Sequence, residues 1–378
     1  MSNYDVVVIG LGAMGSAALH AAARRGLRVV GLEQYDPGHS RSSSYGESRV
    51  IRLAYFEHPS YVPLLQEAYR LWSDLEATTG ERIMTITGIV EAGYPGAPLV
   101  KGSLESSLRH GLPHEQLTAA DVRGRFPAFD LPDDWEAIFQ PNAGALFPEK
   151  AVNLFVREAT RQGAEVHLRT RVAAVSADGD GVEVVLEDGQ RISARSSVVS
   201  AGAWITELVP DLVPHLRLTR QPLLWFEPLQ KGLTDPVRMP IFFFQTPDDL
   251  VYGLPDLLGN GVKAASHLDR GSLASAEAPR AEASAGEAES LRDFLRRYVP
   301  AAAGPLNRSS ICLYTRSPDE HFIVGPHPRA PQLVMASACS GHGFKFASVM
   351  GEILVDLATE RGTDRPIDLF APARLMRA

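Results

Sequence analysis

Residues 4–10 read Tyr-Asp-Val-Val-Val-Ile-Gly, and Gly10, Gly12 and Gly15 then fit G-x-G-x-x-G. Few short patterns restrict a chain more. The β-branched run suits a strand buried on both faces of a parallel sheet. The glycines suit a tight turn, the Ala-rich stretch 13–25 suits a helix stopped by Gly26, and a second strand at 28–32 ends in Glu33. Each part has a physical task. Gly10 permits the turn, Gly12 lets backbone approach a pyrophosphate, Gly15 lets helix and strand pack closely, and the helix N-terminus at Ala13 and Met14 offers free N–H groups. Glu33 is placed to accept from ribose hydroxyls, and an acid there disfavours a 2′-phosphate. Dinucleotide binding follows from this context, although the motif does not choose between NAD and FAD.

The rest of the chain must complete the sheet and supply a second binding surface. Residues 59–80 carry Tyr61, Leu64, Leu65, Ala68, Leu71, Trp72 and Leu75 at helical spacing, with Ser60 as N-cap and Gly80 as the stop. Residues 84–92 read as one strand, and 95–141 as an excursion from the first domain. A helix at 152–162 leads to short strands at 166–168, 172–175 and 182–186, the last closed by a Glu-Asp-Gly-Gln turn. Residues 197–200 run into Ala201-Gly202-Ala203-Trp204, where small side chains let a ligand approach the backbone. Apolar runs at 223–226, 241–244, 250–252 and 311–314 suggest a second, largely antiparallel sheet. The Ala-, Ser- and Glu-rich tract 272–289 reads as a solvated loop or helix start without function. Near the C-terminus the opening pattern returns as a strand at 333–338, the turn Ser340-Gly341-His342-Gly343 and a helix at 346–359. A helix N-terminus there favours a developing anion.

The expected fold is therefore α/β: a Rossmann-type nucleotide domain from residues 1–85, 145–215 and 320–378. An α+β substrate domain on a largely antiparallel sheet is inserted as residues 86–144 and 216–319. A length of 378 residues accommodates two such domains. With 45% apolar and 22% charged residues the chain is not disordered or fibrous. A net charge of -8 argues against a general nucleic-acid surface but leaves room for a local basic pocket. Two cysteines are no disulfide framework, no spacing marks a metal site, and no apolar run approaches the ~20 residues of a membrane span. The expectation is a cytoplasmic protein, with no leader segment, no membrane partner and no nucleic-acid partner.

Three segments together carry a family resemblance. They are Gly46-Glu47-Ser48-Arg49-Val50-Ile51-Arg52, Tyr314-Thr315-Arg316-Ser317-Pro318-Asp319-Glu320-His321-Phe322-Ile323 and Ser340-Gly341-His342-Gly343-Phe344-Lys345-Phe346. The chain resembles the monomeric sarcosine oxidase and N-methyltryptophan oxidase family, over nearly its whole length and least at 95–141 and 272–289. The resemblance implies a monomeric, FAD-dependent amine oxidase. It would convert an N-methyl or cyclic amino acid (sarcosine, N-methyl-L-tryptophan or a pipecolate-like compound) to an imine while O2 is reduced to H2O2.

Residue by residue, the resemblance implies covalent FAD through Cys312, which on its own reads as an ordinary buried strand thiol. Arg52 and Lys345 correspond to cations for the substrate carboxylate, which must be held rigidly for the reacting carbon to be oriented. Read alone, Lys345 is equally a surface ion pair. Arg49 corresponds to a flavin-facing arginine, with a salt bridge to Glu47 or Glu57 as its plain alternative. Lys263 corresponds to the lysine that promotes oxygen reduction, His267 to a histidine near the amine, and Tyr252 and Tyr314 to the pocket wall. The implied cofactor contacts are Gly10, Gly12, Ala13, Met14, Gly15, Glu33, Ser43, Val172, Ala201, Gly202, Trp204, Cys312, Gly341, Gly343 and Lys345, with no metal. His342 reads as a residue that shapes its turn, and Cys339 as a small core hydrophobe.

The chain departs from the family pattern at Ser44-Tyr45, where two histidines are usual, at Leu53, and in the looser segment 261–267. These departures leave the substrate side chain open. A flavin dehydrogenase of a hydroxy acid or polyol with a non-oxygen acceptor keeps the same fold, and Lys263 counts against it. A non-catalytic dinucleotide-binding module would have no use for two carboxylate-binding cations.

Overall fold

The computed structural model describes residues 4–269 and 271–376. The strand Tyr4–Ile9 lies between Val29–Leu32 and Arg191–Val199 and runs parallel to both. Val6, Val7 and Val8 have no exposed surface, as a strand covered on both faces requires. Glu165–His167 extends this sheet beside Val29–Leu32, and Ala330–Ser337 adds a parallel strand on the other side of Arg191–Val199. Strands from near both ends of the chain thus share one eight-stranded sheet. The helix Ala13–Arg24 packs between the helices Pro148–Arg161 and Ala347–Thr359, and its buried alanines permit that close approach.

A nine-stranded sheet faces this nucleotide layer. Its order runs Ser272–Leu273, Arg217–Phe226, Val262–Ser266, Leu250–Leu254, Ile241–Gln245, Ile89–Gly93, Glu136–Gln140 and Glu115–Thr118, with Leu306–Arg316 also paired to Arg217–Phe226. Every pairing is antiparallel except that of Ile241–Gln245 with Ile89–Gly93. A small three-stranded sheet of Arg49–Ile51, Gly144–Leu146 and Met84–Ile86 carries the chain between the two larger ones.

Several local expectations are corrected. Residues 84–92 are not one strand: at Thr87 and Gly88 both N–H groups donate to Ala143 O, and the two halves join different sheets. Ser60 caps nothing. His58 Nδ1 accepts from Ser60 N–H, and a short 3-10 turn at Pro59–Tyr61 precedes the α-helix Val62–Thr79. The tract 272–289 is partly docked, not simply solvated. Ala276 is buried, and Glu277 accepts from Trp204 Nε1–H at 2.7 Å and pairs with Arg41.

Candidate active site

One cavity, enclosing about 1730 Å³ with its open mouth, runs from the glycine turn to the antiparallel sheet. Every site residue singled out in the sequence lines it except Gly15 and Lys263.

At the nucleotide end the protein's own packing explains two of the three motif glycines. Gly10 has φ +85°, and a Cβ on it would stand 2.8 Å from Ser200 O; a Cβ on Gly15 would stand 1.8 Å from Gly10 O. A Cβ on Gly12 would meet no protein atom within 4 Å, so the open side of Gly12 is where a ligand can touch backbone. The helix Ala13–Arg24 starts there with no side-chain cap and no acid in its first turn, leaving its N–H groups for an anion. Glu33 accepts from Leu11 N–H at 2.8 Å and Tyr35 N–H at 2.9 Å. Each oxygen keeps a lone pair for a hydroxyl. Burial pushes the Glu33 carboxyl above its ordinary range. A turn, an uncapped helix and an acid at the next strand end fit the ADP half of FAD. Ser43, Val172, Ala201, Gly202 and Trp204 continue the same wall.

The other end is cationic. Arg52, at the end of Arg49–Ile51, is 2% exposed and donates to both oxygens of Glu57, at 2.9 and 2.7 Å, and to Ala54 O at 2.7 Å. Its Nε stands 3.5 Å from the fully buried Glu91. Burial opposes the Arg52 charge, but Glu57 and Glu91 outweigh it and raise its pKa. Lys345 is buried, not a surface ion pair. Its Nζ donates to His342 O at 2.7 Å and to Tyr55 OH at 3.4 Å. Burial, then Arg52, pushes its pKa down to about 7. Burial likewise takes His267 down to about 3, so its imidazole is neutral. The His267 ring stands edge-on to Phe243 and beside Tyr314. Burial raises the pKa of both Tyr252 and Tyr314, which therefore stay protonated. Gly341 lies so close that a Cβ there would meet the Tyr314 ring at 2.5 Å.

Between the two ends sits Arg49. It donates to the carbonyls of Ser48, Ser43 and Tyr45 at 2.8, 3.0 and 2.6 Å, and Nη2 lies 3.6 Å from Cys312 Sγ. The two carboxylates weighed as its partners are engaged elsewhere: Glu47 pairs with Arg308 and Glu57 with Arg52. Cys312 Sγ also lies 3.2 Å from Ser43 O. Lys263 stands behind this wall, 2% exposed, donating to Gly46 O at 2.8 Å and Ser48 O at 2.7 Å. Those carbonyls belong to the loop that presents Arg49. Burial, then Arg49, pushes Lys263 well below the ordinary lysine range.

Sequence reasoning missed Tyr55, Glu91 and Phe243, and it offered Glu57 only as a partner of Arg49 where the structure pairs it with Arg52. Tyr55 and Glu57 follow Arg52 closely, and Glu91 shows only as an acid inside an apolar strand; nothing sets Phe243 apart from its neighbours. One other expectation changes: His342 does more than shape its turn, since Tyr55 OH lies 2.7 Å from its Nδ1. Cys339 packs against the buried cluster that includes Trp225, Cys312 and Tyr314, as a small core hydrophobe does, and it also lines the cavity. Among the described residues no cluster of His, Cys, Asp and Glu could hold a metal ion, and no helix is long and apolar enough to cross a membrane.

The family model for DAO, FAD dependent oxidoreductase, matches residues 5–357. The chain is 39% identical to a monomeric sarcosine oxidase of Streptomyces avermitilis, covering 100% of this chain and 99% of that one. It is 33% identical to an N-methyl-L-tryptophan oxidase of Yersinia pestis over 98% of this chain and 99% of the other. Its fold is similar to NikD, described as an unusual amino acid oxidase essential for nikkomycin biosynthesis, with TM-score 0.86, 25% identity and 98% of each chain covered.

Proposed function

This chain belongs to the DAO family of FAD-dependent oxidoreductases, and from that premise we propose that it oxidises an N-methyl or cyclic secondary amino acid. Two hydrogens leave the H–C–N–H unit to give the imine, and O2 takes them to become H2O2. The observation that carries this reading is the pair Arg52 and Lys345, set 4.4 and 5.2 Å from the Tyr55 ring at one end of the cavity. Similarity to a sarcosine oxidase and an N-methyltryptophan oxidase supports a secondary amine.

FAD, when bound, supplies the two-electron acceptor between amine and oxygen. The protein's residues do the rest. The substrate carboxylate competes with Glu57 for Arg52 and takes Lys345 as its second cation, while Glu91 remains behind Arg52 as a buried counterion. A substrate nitrogen among Arg49, Arg52 and Lys345 is disfavoured as an ammonium, so it reacts as the neutral amine. His267, itself neutral, offers that nitrogen a hydrogen-bond partner. Arg49 holds a permanent charge where negative charge develops. Covalent attachment through Cys312 is part of the proposal, supported by the thiol's place in the cavity beside Arg49. So are a monomeric state and a cytoplasmic setting, the latter supported by two unpaired cysteines.

The test is peroxide release by purified protein across sarcosine, larger N-methyl amino acids, pipecolate, their amides and 2-hydroxy acids. Peroxide is expected from secondary amino acids and not from the amides. Reduction of a quinone by a hydroxy acid, with no peroxide from any amine, would establish the dehydrogenase instead.

A further inference from the structure

The structure assigns a task to Tyr55 and His342: they form a directed hydrogen-bond chain that holds the Lys345 ammonium toward the cavity, which makes both of them positioning residues of the carboxylate anchor. The inference rests on the carboxylate reading of Arg52 and Lys345 above.

The direction of the chain follows from its donors and acceptors. His342 Nε2 lies 3.0 Å from Glu320 O, which can only accept, so Nε2 carries the proton. Nδ1 is then an acceptor, and the Tyr55 hydroxyl at 2.7 Å is its donor. A phenol has one proton, so towards Lys345 Nζ at 3.4 Å the Tyr55 oxygen only accepts. His342 adds its own carbonyl to Nζ at 2.7 Å. Two of the three ammonium donors are thereby fixed by one turn and one phenol, leaving the third for a ligand in the cavity that Lys345 lines. Tyr55, His342 and Lys345 are all at least nine-tenths buried, so water does not readily replace a lost partner.

The charge on Lys345 is set by what surrounds it. Arg52 and burial favour the neutral amine, while Glu57 on the loop after Arg52 and Glu91 on Ile89–Gly93 favour the ammonium. His342 on its own turn and His267 beyond Val262–Ser266 are held neutral by burial. Within this set the Tyr55 oxygen is an acceptor that favours the charged form.

The experiment titrates holoenzyme with propionate and with propionamide from pH 6 to 9, following the change in flavin absorption. In the wild type, propionate binding weakens above a midpoint near pH 7, by about tenfold per pH unit, while propionamide binding stays flat. Tyr55→Phe keeps the ring and removes the acceptor, so the propionate midpoint falls by about half to one pH unit and propionamide binding is unchanged. His342→Asn keeps an acceptor at the Nδ1 position and holds the wild-type midpoint. His342→Leu frees the phenol proton to turn to the residue 342 carbonyl, 3.3 Å away, where it competes with Lys345, and the midpoint falls again. An unmoved midpoint in both Tyr55→Phe and His342→Leu overturns the proposal. If the wild type binds propionate and propionamide alike at every pH, the carboxylate reading itself fails, which separates the two.

Discussion

Cys312 and Lys263 both lie next to Arg49, yet they face different problems. The Cys312 thiol lines the cavity, and a thioether from it to the flavin would survive unfolding. Acid precipitation should therefore leave the yellow colour in the pellet for the wild type and in the supernatant for Cys312→Ser. Colour in the wild-type supernatant removes the covalent assignment and leaves the fold untouched. Lys263 touches no cavity space, so a part in oxygen reduction would have to run through the loop it holds or through its charge. Lys263→Met keeps length and removes both, so flavin reoxidation should slow on the order of 10²-fold, with anaerobic reduction by substrate changing far less. Rapid mixing of the two half-reactions decides it, and wild-type reoxidation would confine Lys263 to holding the loop. Arg52→Ala is a poorer probe. It strands the buried Glu91, and breaking such a pair costs about 3–5 kcal/mol. Motifs draw attention to Arg52 and Lys345, but not to what holds them. Tyr55 and His342 are 287 residues apart in the chain, and only folding makes them neighbours.

The glycine turn offers a sharper division of labour than its pattern suggests. Gly15→Ala forces a methyl onto Gly10 O and should lower both thermal stability and flavin content. Gly12→Ala meets no protein atom, so the apoprotein should melt at the wild-type temperature while flavin content falls. Equal melting loss in both variants would mean that Gly12 serves the fold and not a ligand. Strands and helices were legible where periodicity is strong, as in Tyr4–Ile9, Ala13–Arg24 and Val62–Thr79. They were misread where a tertiary contact decides. The Ala143 carbonyl splits residues 84–92 between two sheets, and Glu277 reaches across to Trp204 to dock a tract whose composition looks merely solvated.

The site exists only because two sheets meet. The glycine turn and Glu33 come from the parallel strands of the eight-stranded sheet, Tyr252 and Cys312 from the largely antiparallel nine-stranded one, and Arg49 from the small sheet between them. A chain of net charge -8 places Arg52 and Lys345 at one end of the cavity and Arg49 between its two ends, with Glu57 and Glu91 set against Arg52. The α/β class and the antiparallel second sheet were visible in the alternation of strand and helix patterns. The local basic pocket was visible only as an allowance, because it depends on which carboxylates fold behind which cations. The decisive experiment follows both halves of the reaction in one cuvette: purified holoenzyme is mixed with a secondary amino acid without oxygen, and air is then admitted. Bleaching of the flavin by the amine, followed by return of colour with one H2O2 per substrate oxidised, is the expected result. Bleaching by a hydroxy acid but not by any amine, or a reduced flavin that air fails to reoxidise, would contradict the oxidase reading.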